Sequence, residues 1–391
     1  MYEPDPFNPT IADAMSRQTP TLLTPGPITA SEAVLAAMAF DYNPGDVELL
    51  DMTRHIRSYV PAVGNASGTH VCVPLQGSSS FGIEASLLAC VPADGKVLVV
   101  SNGFYGLRAC EAVEGVGRTA VAFEVPDFGL PDMRRLADAI DADPAITHVF
   151  VCHVETGSGA QNPVAEIGAV AKARGKGLIV DAIAAYGAVP LDIAAVDAEA
   201  VIVSPNKCFE GVPGMALPII RRDVLAASKG RYGSFVLDLH ARHEQYEQSG
   251  HWKFTPPTHV VAAVHTALTI HGAEGGQPAR LVKYQRNWRR LVDGMRQLGI
   301  STLIPDEIAS PIIATFHRPC DAKFDWATFH AGVKARGFWL FNGKLTTIPT
   351  FRIGCMGDLN ENDVGRLVEA IADTLDAMGV RERAPRLIAA A

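Results

Sequence analysis

The sequence predicts an α/β fold: a mostly parallel sheet covered on both faces by helices, with a smaller α+β domain at its C-terminal end. Three observations carry this. Short, continuous apolar runs, "KVLVVS" (96–101), "THVFVCHVE" (147–155), "GLIVDA" (177–182) and "EAVIVS" (199–204), read as strands buried on both faces. Helical patterns stand between several of them. From about Gly272 the texture changes to long, polar-faced helices and isolated short strands.

Each element follows in chain order. Residues 1–20 are rich in Pro and Asp and read as a disordered or draped arm. The small-residue turn "QGSSS" (76–80) opens a helical "FGIEASLLACV". The run 96–101 precedes a helical "YGLRACEAVEGVG" (105–117), and the run 147–155 precedes "PVAEIGAVAKARG" (163–175), which ends on a helix-stopping glycine. The run 199–204 leaves its strand through Ser-Pro-Asn and meets a single lysine, Lys207. Glycines and a proline follow, and then the apolar "MALPII". Beyond Gly272 the long helix "ARLVKYQRNWRRLVDGMRQLG" (279–299) leads to short strands in "PIIATF" and "FRIG". The last element is an amphipathic helix, "ENDVGRLVEAIADTLDAM" (361–378). The expected division is an arm (1–20), a large domain (21–275) and a small domain (276–391).

Composition narrows the function. The chain has 391 residues, 48% apolar and 19% charged, enough for a sizeable core and two domains. Its net charge of −8, with acids and bases interspersed, excludes a nucleic-acid scaffold, which needs a basic footprint. A local basic pocket for a small anion is compatible with it. The longest apolar stretch, 178–203, is broken by Asp181, Asp192, Asp197 and Glu199, so no membrane span is expected. The opening "MYEPDPFNPTIADAM" has neither a basic start nor an apolar segment, so no signal peptide is expected. Seven cysteines (72, 90, 110, 152, 208, 320, 355) form no CxxC pair. Buried free thiols in a reducing cytoplasm fit this pattern.

Three polar groups stand at strand ends, where parallel sheets collect their ligands. Each has a bland reading alone. Asp181 reads as a cap, Lys207 as an exposed lysine, and the turn at 76–80 as an ordinary helix start. Together they are sharper. A lysine that forms a Schiff base needs low-dielectric surroundings that lower its pKa. A carboxylate is needed to keep a pyridine nitrogen protonated. A helix N-terminus suits a phosphate. Two weaker signals point elsewhere. His240 and His243 form an HxxH pair that reads as a helix surface rather than a metal site. Cys320, in "HRPCDAK", reads as structural or exposed.

With these residues in view, the chain resembles a known family over about residues 21–375. The stretches that carry the resemblance are "LLTPGP", "LQGSSSFGIEA", "VSNGFYG", "HVETGSGAQNP", "IVDAIAAYGAVPLDIAA", "NKCFEGVPG", "WKFTPPTH" and "FRIG". It is similar to the fold type I, class V aminotransferases that use pyridoxal 5'-phosphate, and within them to the 2-aminoethylphosphonate–pyruvate group. The resemblance implies that Lys207 carries the cofactor covalently and Asp181 pairs with its ring nitrogen. It implies that Ser78, Ser79 and Ser80 hold the phosphate, Tyr105 stacks on the ring and Thr156 bonds the phenolic oxygen. Thr255 would reach the phosphate from a partner subunit, which implies a homodimer. Arg352 would grip the substrate's anionic group with a forked pair of hydrogen bonds.

The implied activity moves the amino group of 2-aminoethylphosphonate to pyruvate, both small-molecule substrates. The alternatives are a class V aminotransferase for another small amine, of alanine–glyoxylate or serine–pyruvate type, and a non-catalytic cofactor-binding module. Some positions depart from the family pattern. Ser79 stands where glycine is usual, which predicts a turn with an altered backbone angle. Ala184 and Ala185 replace serines, and Gly157 replaces a hydroxyl residue, which predicts a less polar cofactor edge.

Overall fold

A computed structural model describes residues 20–385 apart from 126–127, 232 and 344–347. The expected arm lies outside the described residues except for Pro20. The central sheet has seven strands: β1 (His70–Cys72), β2 (Lys96–Ser101), β3 (Thr119–Glu124), β4 (Ile146–Cys152), β5 (Gly177–Asp181), β6 (Ala200–Ile202) and β7 (Ile219–Arg221). Their spatial order is β1-β7-β6-β5-β4-β2-β3. The β3-β2-β4-β5-β6 ladder is parallel throughout. Only β7 runs against its neighbours, pairing antiparallel with β6 and β1. After β6 the chain makes the Lys207 turn, pairs Met215–Ala216 with Leu75–Gln76, and returns beside β6 with no helix between. Parallel neighbours need a crossover, and here there is none.

Val97 to Val100, Val149 to Val151 and Leu178 to Val180 are all essentially inaccessible to solvent. Their β-branched side chains suit a pleated surface packed on both faces, and each fully buried aliphatic contributes about 1.5–3 kcal/mol. Helices Ser79–Cys90, Phe104–Gly115 and Val164–Lys172 are the connections that this requires. The glycine expected to stop the last of these, Gly175, takes φ +63° just past its end.

The C-terminal part has its own core and a three-stranded antiparallel sheet: β8 (Ile313–His317), β9 (Phe341–Asn342) and β10 (Thr350–Gly354), in the order β8-β10-β9. The helix Gly276–Gln297 runs from the junction into this core. The last helix, Glu361–Met378, starts on a capping box between Asn360 and Asp363 and stops at Gly379, φ +72°. One segment sits apart from the expected division. Thr21–Leu22 pairs in parallel with Phe338–Trp339, and Leu23 is buried in the C-terminal core. Among the described residues no helix is long and apolar enough to cross a membrane.

Candidate active site

The carboxyl ends of β4, β5 and β6 converge. Register places Cys152 opposite Asp181, and Asp181 opposite Ile202. Lys207 follows β6 in a tight turn, in which the amide of Glu210 donates to the Lys207 carbonyl at 2.8 Å and Gly211 to Pro205 at 2.8 Å. The Lys207 amine donates to the Pro25 carbonyl at 2.6 Å. Gly26 passes beside it at φ +124°, so closely that a Cβ there would lie 1.8 Å from Nζ. The positive φ there is a conformation that favours glycine. Burial pushes the Lys207 amine down to about 8, so deprotonation comes well below its ordinary range.

Asp181 is the last residue of β5. Its Oδ1 accepts from the Ile183 amide at 2.9 Å, and the Cys152 thiol lies 3.9 Å from Oδ2. Burial pushes this carboxyl up to about 6, against the opposing pull of Lys207 and Arg108. Among the described residues this partly buried carboxylate makes no ion pair.

Ser78 caps the helix Ser79–Cys90 by position, yet its side chain makes no capping bond. The Ser79 hydroxyl is buried without a hydrogen-bond partner. The Ser80 hydroxyl accepts from Arg108 Nη2 at 2.9 Å. The altered backbone angle expected from serine at 79 does not occur. Residue 79 is already helical, and the left-handed residue of the turn is Gly77, φ +116°.

Tyr105 stands at the start of the helix Phe104–Gly115, and Thr156 follows β4. Glu155 ties the two together. One carboxylate oxygen accepts from the amides of Tyr105 (2.9 Å) and Gly106 (3.4 Å), the other from Gly157 (2.8 Å). Of the replaced serines, only Ala184 faces the cavity, while Ala185 is packed in the interior.

These residues enclose a cavity of about 500 Å³ whose wall includes Ser78, Ser79, Ser80, Tyr105, Thr156, Asp181 and Lys207. Two expected site residues are not in that wall. Thr255 lies at a separate open groove with Trp252 and Phe254, where its carbonyl accepts from Gln76 at 2.5 Å. Arg352, in β10, is fully buried. Its Nη1 donates to the Thr156 carbonyl at 3.1 Å and its Nε to the Asn342 carbonyl at 3.2 Å, while the buried Nη2 makes no hydrogen bond among the described residues. Tyr105 adjoins it. The expected fork is therefore half spent on backbone carbonyls.

The sequence reading missed three contributors: Arg108, Glu155 and the Pro25–Gly26 step. Arg108 and Glu155 were inside the quoted motifs' neighbourhood, at one helical turn from Tyr105 and one residue before Thr156. Proximity to those positions was the available signal. The HxxH pair lies on the helix Leu239–Ser249 against Glu244 and Glu247, each 3.7 Å away. Cys320 is exposed, near Glu382.

A family model described as Aminotransferase class-V matches residues 47–328. The chain belongs to the class-V aminotransferases. A 2-aminoethylphosphonate–pyruvate transaminase of Cupriavidus necator is 43% identical over 366 residues, covering 94% of this chain and 97% of that protein. One from Rhizobium meliloti is 44% identical over 373 residues, with 95% and 97% covered. Among solved structures, pyridoxamine–pyruvate aminotransferase from Mesorhizobium loti matches with a TM-score of 0.83 at 25% identity, over 93% of this chain and 94% of that one. Ureidoglycine–glyoxylate aminotransferase from Bacillus subtilis matches with a TM-score of 0.84 at 21% identity, over 94% and 96%, a likeness of fold. The architecture is that of the fold type I aminotransferases.

Pyridoxal phosphate is the cofactor of this family, and the cavity's groups fit it. An orphaned hydroxyl at a helix start beside an arginine suits the phosphate. A partly buried carboxylate at the cavity wall, its pKa raised, suits a protonated ring nitrogen. A partly buried amine with a depressed pKa suits covalent attachment.

Proposed function

We propose that this chain moves the amino group of 2-aminoethylphosphonate to pyruvate, giving phosphonoacetaldehyde and L-alanine. The observation that carries the reading is the 43–44% identity, across nearly the whole chain, to relatives of that name. The Lys207–Asp181 pair in one cavity gives it a chemical basis.

Bound pyridoxal phosphate supplies an electron sink for the bond to hydrogen at the substrate's amino-bearing carbon. The chain's own residues do the rest. Lys207, neutral at a lower pH than an exposed lysine, would hold the cofactor covalently and, when free, would serve as the base and acid that moves the proton of the substrate's amino-bearing carbon. Asp181 holds the proton on the ring nitrogen. Ser78, Ser79 and Ser80 hold the phosphate through hydroxyls and helix-start amides. Tyr105 covers the ring face, and Thr156 bonds the phenolic oxygen. Arg352 holds the anion of either substrate, with Nη2 as the free donor. Pyruvate then runs the same steps in reverse, a ping-pong sequence.

Thr255 stands outside the cavity of its own chain, which supports assigning it to the phosphate of a second copy in a homodimer. The site takes small molecules, and we assign the protein to the cytoplasm. A second reading, another small amine as donor, is favoured by one observation: Ala184 puts a methyl group on the cavity wall. The deciding experiment is a half-reaction screen. The yellow holoenzyme is mixed with single amines and the loss of its visible band is timed. 2-Aminoethylphosphonate should react fastest. A tenfold better alanine, serine, taurine or 3-aminopropylphosphonate would overturn the donor and leave the transaminase.

A further inference from the structure

The turn that carries Lys207 is gripped from behind by charges that the proposed reaction does not use. Glu210 lies three residues on, at φ +60°, in the left-handed region that side chains disfavour. Its amide donates to the Lys207 carbonyl, so the two residues share one turn. Its buried carboxylate is held by three neighbours from a single helix, Gly276–Gln297. The Tyr284 hydroxyl donates to it at 2.7 Å, Lys283 Nζ lies 3.1 and 3.2 Å from its two oxygens, and Arg280 Nη1 is 3.2 Å away. Arg280 Nη1 also donates at 2.8 Å to the carbonyl of Cys208, the residue after the lysine. Positions 280, 283 and 284 share one helix face.

The same helix reaches the other half of the site. Asn287 donates to the carbonyls of Cys355 (3.3 Å) and Leu359 (3.4 Å), just past the strand that carries Arg352. Met356 in turn meets Cys208, sulfur to sulfur, at 3.6 Å. One rigid element thus touches the lysine turn and the end of the arginine strand.

We propose that Glu210 is a positioning residue: locked to Arg280, Lys283 and Tyr284, it fixes the Lys207 turn relative to the strand that carries Arg352. The inference rests on the proposed roles of Lys207 and Arg352. A turn needing only to bend would be served by glycine at 210 without the left-handed cost. The side chain adds a fixed direction, and a buried ion pair is weak evidence for added stability.

The test compares wild type with Glu210→Gln, Glu210→Gly and Lys283→Met, the last at a partly exposed residue. In the apoproteins, amide hydrogen exchange across residues 207–211 should quicken about tenfold in Glu210→Gly. In the holoenzymes, kcat should fall about tenfold while KM for the amine stays within about threefold. Glu210→Gln keeps the Tyr284 bond and should recover part of both losses. Lys283→Met should move both in the same direction by less. Wild-type exchange and wild-type kcat in Glu210→Gly would overturn the proposal. So would lowered Tm with kcat unchanged, which is what a purely structural cluster gives. Failure of the underlying reading looks different: borohydride reduction of wild type with pyridoxal phosphate would then leave no adduct on the Lys207 peptide.

Discussion

Ser78–Ser80 and Arg352, the two groups proposed above to hold anions, are built on opposite plans. The serines stand at the start of a helix on the large-sheet side and line the cavity together with the exposed Arg108, which donates to the Ser80 hydroxyl. Arg352 belongs to the small sheet and is completely buried. Its guanidinium lies over Phe341 at 5.3 Å, and two of its three nitrogens are engaged by carbonyls. Burial disfavours its charge, and its pKa is lowered accordingly. Many modest donors add up to a lasting grip, which suits a phosphate that stays through every turnover. One concentrated charge in a dry setting suits an anion that binds and leaves in each half-reaction. On the proposed assignment the two halves of the molecule would divide the work: one would keep the cofactor, the other sort the substrates.

The largest expected effect falls between the two sites. Lys207→Ala should lower turnover by at least about a thousandfold while both anion sites stay intact. The variant should still bind pyridoxal phosphate without forming a covalent link, seen as binding without the imine absorbance. Undiminished transamination would end the assignment. The wild-type pH dependence carries a sign. Attachment needs the neutral amine, and burial makes the charged form unfavourable, so the rate of cofactor attachment to apoprotein should rise through about pH 8. A midpoint near that of an exposed lysine would contradict the burial argument.

Next in size is Asp181→Asn, which keeps shape and removes charge. We expect kcat to fall about a hundredfold with the fold retained, measured beside an unchanged circular dichroism spectrum. If kcat stays within a few-fold of wild type, Asp181 is structural. Arg352→Ala tests the division of work directly. Hydrogen bonds to charged groups are worth about 1.5–3 kcal/mol, so both 2-aminoethylphosphonate and pyruvate should weaken by at least about tenfold. Cofactor affinity should not move. Arg352→Lys should recover only part, because a point charge cannot hold Thr156, Asn342 and a ligand together. Loss of cofactor in Arg352→Ala would merge the two sites into one.

Much of the large half was legible because its signals are local and repeated. Runs such as 96–101 and 177–182 declare two-sided burial, and Asp181 and Lys207 fall at their ends. The motif residues Ser78 to Ser80, Tyr105 and Thr156 do meet around one cavity. What the sequence hid is contact between distant stretches. Nothing local tells that Thr21–Leu22 joins the C-terminal half, or that Pro25 and Gly26 cross over Lys207. Nothing local tells that Arg352 is spent on the carbonyl of Thr156. The reversed strand β7 was visible as an apolar run, but its direction depends on the short return through Pro218. The serine at 79 misled in a different way. The concern about backbone angle belonged to Gly77, two positions earlier.

The smallest effect has the most distinctive sign. Ser79 carries a buried hydroxyl that no group among the described residues bonds, an arrangement that costs stability unless a ligand fills it. In Ser79→Ala that cost disappears from the apoprotein while the first helical residue keeps its backbone shape. The apoprotein should therefore be as stable as wild type or more so, by up to about 1 kcal/mol. The holoenzyme should show the reverse. One donor to the phosphate is lost, and pyridoxal phosphate should bind about fivefold more weakly, with KM for both substrates unchanged. Apoprotein Tm and cofactor Kd, measured on the same preparation, check both signs. A hydroxyl that merely supports the helix would give the opposite pair, a destabilised apoprotein with unaltered cofactor affinity. That result would move the phosphate grip onto Ser78, Ser80 and the helix-start amides, leaving Ser79 out of it.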